Sequence, residues 1–193
     1  VSGRHPEIWN PKNGKVFKVT EFLDNGRTTE VKARFNGHEA FFVVFPARQT
    51  EGTETLIDDS ERKTVMEIAT PWQVSFDPEW SKAGTMTFEQ LKDWTDSDDP
   101  EIKFYSGTAD YVTTFTLPPV DKDAHFILSL GQVHDMADVI LNGTGLGILW
   151  TTPWELDVTG LLKEGENKLE IKVVNQWHNR LIGDEELEND GII

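Results

Sequence analysis

The chain reads as an all-β protein, an antiparallel β-sandwich with only short pieces of helix. Three observations predict this. Strand-length runs of period two recur along the sequence, and turn pairs such as Asn142-Gly143 separate them. No apolar pattern of period 3.6 persists long enough for a core helix. The clearest run is Thr108 to Leu117, which puts Tyr111, Thr113, Phe115 and Leu117 on one face before Pro118-Pro119 stops it. Two stacked antiparallel sheets leave few open edges, so a jelly roll is the natural closure.

Taken in order, Glu7 to Pro46 predicts strand, turn, strand, turn, strand. Val16 to Val19 is the first run, and Asp24-Asn25-Gly26 supplies a turn. Thr29 to Phe35 alternates, with Val31, Ala33 and Phe35 one way and Lys32 and Arg34 the other. Asn36-Gly37 turns into Ala40 to Phe45, a run apolar on both faces that calls for cover on both sides. About 40 residues of sheet are marginal alone. The segment 1–46 is therefore expected to pack against the rest of the chain or to leave an apolar face exposed, and either outcome marks a domain boundary. Residues 47–62 are polar and read as a linker, with 63–193 forming the sandwich.

Within 63–193, Lys63 to Ala69 predicts a short strand, and Trp72 to Phe76 a half-buried one. Phe88, Leu91 and Trp94 recur at three-residue spacing, which predicts a short helix over FEQLKDW capped by Thr87. Thr95 to Pro100 is an acidic turn, and Ile102 to Tyr105 a brief strand. His125 to Leu130 sends Phe126, Leu128 and Leu130 inward. Ala137, Val139 and Leu141 alternate before the Asn142-Gly143 hairpin, and Gly145 to Trp150 returns. DVTGLLK predicts one helical turn capped by Asp157, and Lys168 to Val174 a last strand. The total is about eight strands from Lys63 onward.

The chain has 193 residues, enough at this size to bury roughly 70% of the unfolded surface. Thirty-four acidic against eighteen basic residues leave a net charge of −16. That field repels polyanions, so nucleic acid and anionic membrane are poor partners, whereas neutral glycans and cations remain compatible. Cysteine is absent, which removes disulfides and thiolate chemistry. No run of 18 apolar residues predicts a membrane span. A start at Val1, without Met or a signal-like segment, reads as a piece of a longer polypeptide.

The stretch NG..LG..W..P.E.DVTGLLK.GEN.LEI.VVN, from Asn142 to Asn175, resembles the sugar-binding jelly-roll domain of family 2 glycoside hydrolases. WHNRLIGD downstream and WQVSFDPEW…DWTDSDDPEIKFYSGTADY upstream add a similarity to the C-terminal β-sandwich of α-L-rhamnosidase-like enzymes of family 106. The resemblance implies a galactose-binding-like fold and a non-catalytic, architectural accessory role. It also implies a catalytic barrel domain as partner, with 1–46 closing a preceding β-domain, and an extracytoplasmic (periplasmic or secreted) location. The competing reading is an autonomous carbohydrate-binding module.

Several kinds of site are candidates among these residues. Paired carboxylates for glycoside hydrolysis would have to come from Asp96, Asp98 and Asp99 or from Asp184, Glu185 and Glu186. Both clusters lie in polar, turn-like sequence where solvation keeps acids ordinary. Asp96, Asp98 and Asp99 form a candidate calcium site, since hard cations take several carboxylate and carbonyl oxygens, and a solvated turn is the simpler reading. Trp150, Trp154, Trp177, His178, Asn179 and Arg180 are the candidate carbohydrate contacts: aromatic faces stack on sugar C–H groups while polar neighbours bond hydroxyls. Against this stands the plainer expectation that these tryptophans plug the core and that Arg180 pairs with Asp184. His134 and His178 have no partner at metal-ligand spacing. GTGLG carries hairpin glycines, with neither a nucleophile elbow nor a phosphate cradle.

Overall fold

The computed structural model describes residues 3–33, 35, 37–55, 62–119, 121 and 124–187. The chain divides into two compact units, Val1–Val65 and Met66–Ile193.

The first unit holds a four-stranded sheet in the order β5-β1-β2-β6, made of β1 (Glu7–Trp9), β2 (Val16–Lys18), β5 (Phe42–Val44) and β6 (Glu54–Thr55). A separate hairpin joins β3 (Phe22–Asp24) to β4 (Thr29–Val31). Asp24 Oδ1 and Asn25 Oδ1 accept the Gly26 and Arg27 N–H groups of the intervening turn, as Asx side chains do. The polar stretch expected as linker contributes β6, which pairs in parallel with β2, and Lys15 Nζ lies 3.1 Å from the Glu54 carboxylate.

The core of this unit is small: Ile8, Val19 and Pro6 are buried, and so is Glu7. Glu7 is satisfied by Thr50 N at 2.8 Å, Thr50 Oγ1 at 2.7 Å and the Trp9 indole N–H at 2.9 Å. Burial pushes its carboxyl up, but these three donors outweigh that and hold it below the ordinary range.

Two expectations for this unit fail. The alternation from Thr29 to Phe35 continues as ladder only to Val31; Phe35 leaves the sheet and stacks on Phe41 at 4.3 Å. Arg34 and Asn36 lie outside the described residues. The apolar run at β5 is not covered on both sides, for Phe42 is 61% and Val43 42% exposed.

The second unit is the sandwich. Its main sheet has the order β12-β11-β14-β9-β7-β8, from β7 (Trp72–Phe76), β8 (Thr85–Phe88), β9 (Thr108–Leu117), β11 (Met136–Leu141), β12 (Thr144–Leu149) and β14 (Gly165–Val174). A second pair, β10 (Ile127–Ser129) with β13 (Glu155–Asp157), packs its partly buried Leu128 and Leu156 on the same core. Period-two alternation explains the layering: Val74, Phe76, Ala109, Tyr111, Phe115, Val139, Leu141, Leu169 and Ile171 all face inward. Each large apolar side chain buried this way contributes about 1.5–3 kcal/mol. The outer face keeps polar pairs such as Gln73 with Thr87 and Lys168 with Glu170.

The Asn142-Gly143 hairpin and the loop around Asn167 close one end of this sandwich. Asn142 at φ 53° and Gly143 at φ 82° make the tight hairpin between β11 and β12. Asn167, fully buried, accepts from Asn142 Nδ2 and Lys163 N and donates to the Lys163 and Gly165 carbonyls. Asn142 in turn receives Lys168 N. The two motif asparagines thus satisfy the backbone of a loop that has no ladder of its own.

Several elements depart from expectation. Residues 63–69 form no ladder, although Met66 and Ile68 still touch the core. FEQLKDW is no helix. Thr87 and Phe88 belong to β8, where Phe88 pairs with Trp72, and Leu91 is 56% exposed. A 3-10 turn at Trp94–Asp96 follows, capped by Asp93. Ile102 sits in a short helix, α1 (Pro100–Lys103), where a strand was expected. Pro at N1 and an aspartate at the N-cap explain the helix. DVTGLLK is the end of β13 and a turn, with Asp157 Oδ1 accepting Thr159 N. The segment after Gln176 is a helix, α2 (His178–Glu186).

Candidate functional site

Strand register brings the candidate carbohydrate contacts to one end of the sandwich, opposite the asparagine loop. Leu149 pairs with Ala137, Ala137 with Val173, Val174 with Thr108 and Phe76 with Ala109. The residues that leave the sheet at this end are therefore Trp150 after β12, Asn175 to Trp177 after β14, and Asp77 to Trp80 after β7. Trp154 joins them from the second sheet, where its carbonyl accepts Leu130 N just beyond β10. Adjacent strands are spaced about 4.8 Å apart, so the chain exits after β12 and β14 are separated by about 10 Å.

Local sequence holds these positions. Asp77 nucleates the turn after β7: its side chain accepts Glu79 N and its carbonyl accepts Trp80 N and Ser81 N. Ser81 Oγ donates to the Glu101 carbonyl, and the Glu101 carboxylate accepts Lys82 N, tying this turn to α1. Asn175 bridges Gly107 N and the Tyr105 carbonyl. Ser106 Oγ accepts Arg180 N in the first turn of α2. Gly183 lies against Phe104 so closely that an added Cβ would stand 2.7 Å from the Phe104 Cβ. The helix is thereby fixed on one side without a long apolar face.

Trp150 and Trp177 do not plug the core. They are 58% and 57% exposed, while Trp154 is half-buried. His178 is exposed, and Asn179 and Arg180 are half-buried. Arg180 Nε lies 2.9 Å from Asp184 Oδ1, the pairing expected from the sequence, one helical turn apart. Trp80 was missed. It is 37% exposed and meets Trp177 edge to face at 5.7 Å. Its position after a half-buried strand resembled that of any turn residue, so nothing local singled it out. The tryptophans that do serve the core are Trp72 and Trp94; Trp94 donates its indole N–H to Tyr111 Oη.

The carboxylates distribute differently. Asp96 ends the 3-10 turn, Asp98 follows it, and Asp99 caps α1 by accepting Glu101 N. Asp184, Glu185 and Glu186 lie exposed on α2. Among the described residues no group of three His, Asp or Glu side chains gathers in a metal-holding arrangement. Glu7, Asp24 and Asp93 are held below the ordinary carboxylate range by hydrogen-bond donors, Thr95 being the donor at Asp93 and the Gly26 and Gly3 N–H groups at Asp24. A glycosidase acid needs the opposite displacement. No helix among the described residues is long and apolar enough to cross a membrane.

Comparison with known proteins gives a consistent result. The sequence profile of the glycosyl hydrolase 2 galactose-binding domain-like family matches residues 93–190. A protein of Formosa agariphila described as a "Putative beta-glucuronidase" is 44% identical over 125 residues, 64% of this chain and 11% of its own length. The solved rhamnosidase of Novosphingobium sp. PP1Y superposes on all of this chain with TM-score 0.86 and 34% identity, over 18% of that protein. An uncultured Clostridium sp. β-glucuronidase matches 63% of the chain with TM-score 0.50 and 25% identity, over 24% of its length. The chain therefore spans a quarter or less of each of these relatives.

Proposed function

The chain belongs to the glycosyl hydrolase 2 galactose-binding domain-like family, and from that premise we propose that it is a non-catalytic accessory β-sandwich of a multidomain glycoside hydrolase. The observation that carries this reading is coverage: the whole chain corresponds to 18% of a rhamnosidase, in a region whose fold it shares. Its role is architectural. It supports a catalytic domain carried elsewhere in the polypeptide, and 1–46 ends a β-domain that precedes the sandwich. An extracytoplasmic enzyme acting on α-L-rhamnosides or related glycosides is the parent this reading favours.

A second reading, carbohydrate contact, is favoured by one specific feature. The sandwich end exposes Trp150 and Trp177 with polar neighbours His178 and Asn179, and open aromatic faces beside hydrogen-bonding side chains suit stacking on sugar C–H groups. The two readings coexist if the domain both buttresses the enzyme and guides its glycan.

The test is made on the parent polypeptide. Destabilising the sandwich with a core substitution such as Val139→Asp should lower the melting temperature of the parent and the yield of folded enzyme. The turnover per folded molecule on aryl glycosides should stay within about twofold, because the reacting groups lie elsewhere. Loss of kcat in parent molecules that remain fully folded would place reacting groups in this chain and overturn the accessory reading.

A further inference from the structure

We propose that the right-angled pair Trp80 and Trp177 is a stacking site for a neutral pyranose, a proposal that rests on the carbohydrate-contact reading above. The two rings lie 5.7 Å apart at 87°, and both are open to solvent, 37% and 57%. A pyranose chair has a flat C–H face and a rim of hydroxyls. A perpendicular indole pair offers one ring as a floor and the other as a wall.

Two other tryptophans of the chain show how an indole N–H is spent within the fold. Trp9 donates to Glu7 and Trp94 to Tyr111, so their polar edges are spent within the fold. Among the described residues neither Trp80 nor Trp177 makes such a bond. Each keeps a donor for a hydroxyl beside an open ring face. Both rings also stand on held backbone: Trp80 in the turn organised by Asp77 and tied to Glu101, Trp177 at the start of the helix pinned by Ser106 and by Gly183 on Phe104. Such a site loses little conformational freedom on binding.

Charge selects among sugars. Asp77, Glu79 and Asp184 accompany the pair in sequence and on α2, against Lys82 and the Arg180 that pairs with Asp184, in a chain of net charge −16. That field disfavours a uronate and leaves a neutral hexose or deoxyhexose.

The experiment follows the seven tryptophan indole N–H signals of the ¹⁵N-labelled 193-residue chain, assigned with Trp80→Phe and Trp177→Phe. The probes are methyl α-L-rhamnopyranoside, methyl β-D-glucopyranoside and methyl β-D-galactopyranoside, with methyl β-D-glucuronide as the anionic counterpart. At least one neutral glycoside should move the Trp80 and Trp177 signals together, saturating in the range of about 1–10 mM. The glucuronide should bind less tightly than the glucoside, with the gap narrowing as salt is raised. Trp80→Ala and Trp177→Ala should each weaken binding about fivefold.

No movement of either signal with any neutral glycoside overturns the proposal, as does equal or tighter binding of the glucuronide. Movement that follows protein concentration and self-association also overturns it, since the pair is then a protein contact. Binding lost in Trp177→Ala but unchanged in Trp80→Ala overturns the paired site and leaves carbohydrate contact through Trp177 standing.

Discussion

Asn167 is the residue on which the closed end of the sandwich depends, and its replacement by leucine is the sharpest test of that packing. Its side chain is fully buried and makes four hydrogen bonds: Oδ1 accepts from Asn142 Nδ2 and Lys163 N, both at 2.8 Å, and Nδ2 donates to the Lys163 carbonyl at 2.9 Å and the Gly165 carbonyl at 3.0 Å. Leucine keeps the volume and removes every partner. Lys163 N and the Lys163 and Gly165 carbonyls then lose these partners. At about 1 kcal/mol net for each bond, the loss is about 4 kcal/mol, offset by about 1 kcal/mol for not burying the amide. A net cost of about 3 kcal/mol and a urea slope of about 2 kcal/mol/M move the midpoint of the sandwich transition down by about 1.5 M. The assay is urea unfolding followed by far-ultraviolet circular dichroism, with the slope unchanged. A shift below about 0.5 M would mean that water or a rearranged loop satisfies those groups, and the reasoning would fail.

Glu7 predicts an acid-labile first unit. Its folded pKa lies below the ordinary 4.5, so the stability it adds is fully present above that value and lost as pH falls through the folded value. Melting of Glu7→Gln should show a cost of about 1–2 kcal/mol at pH 7 that vanishes toward pH 3. Gly183→Ala forces a Cβ within 2.7 Å of Phe104. Overpacking should cost about 1–3 kcal/mol and raise hydrogen exchange at the start of α2 before the sheet is affected. The two tyrosines are both pushed up by burial, Tyr111 to about 12. Absorbance at the tyrosinate band should stay flat through the ordinary tyrosine pKa of about 10 and rise only with unfolding. A step near that pH in folded protein would contradict the burial of both rings.

The sheet was legible wherever one face is buried and the other wet. Thr108 to Leu117 and Met136 to Leu141 alternate because the pleat does, and Asn142-Gly143 marks its own turn through positive φ. The sequence misled where short-range spacing imitated a pattern. Phe88 and Trp94 are both buried, but one ends an edge strand and the other opens a 3-10 turn, so their helical spacing is accidental. The caps at Asp93 and at Asp99 before Pro100 were the available signals.

Helix α2 was hidden for a different reason. Its solvent side carries Leu181 and Ile182, 61% and 49% exposed, and its inner side is Gly183, so the usual amphipathic signature is inverted. The exposure of Trp150 and Trp177, and the meeting of Trp177 with Trp80, depend on strand register and on α2 being pinned at Ser106 and Phe104. Those are long-range facts, and no local window contains them.

The central claim is that this β-sandwich carries no reacting groups of its own. The most direct measurement is release of nitrophenol by the purified 193-residue chain from nitrophenyl α-L-rhamnoside, β-D-galactoside and β-D-glucuronide over days. The account predicts a rate equal to buffer for all three. Turnover that scales with protein concentration and disappears on replacing one carboxylate of this chain would contradict it.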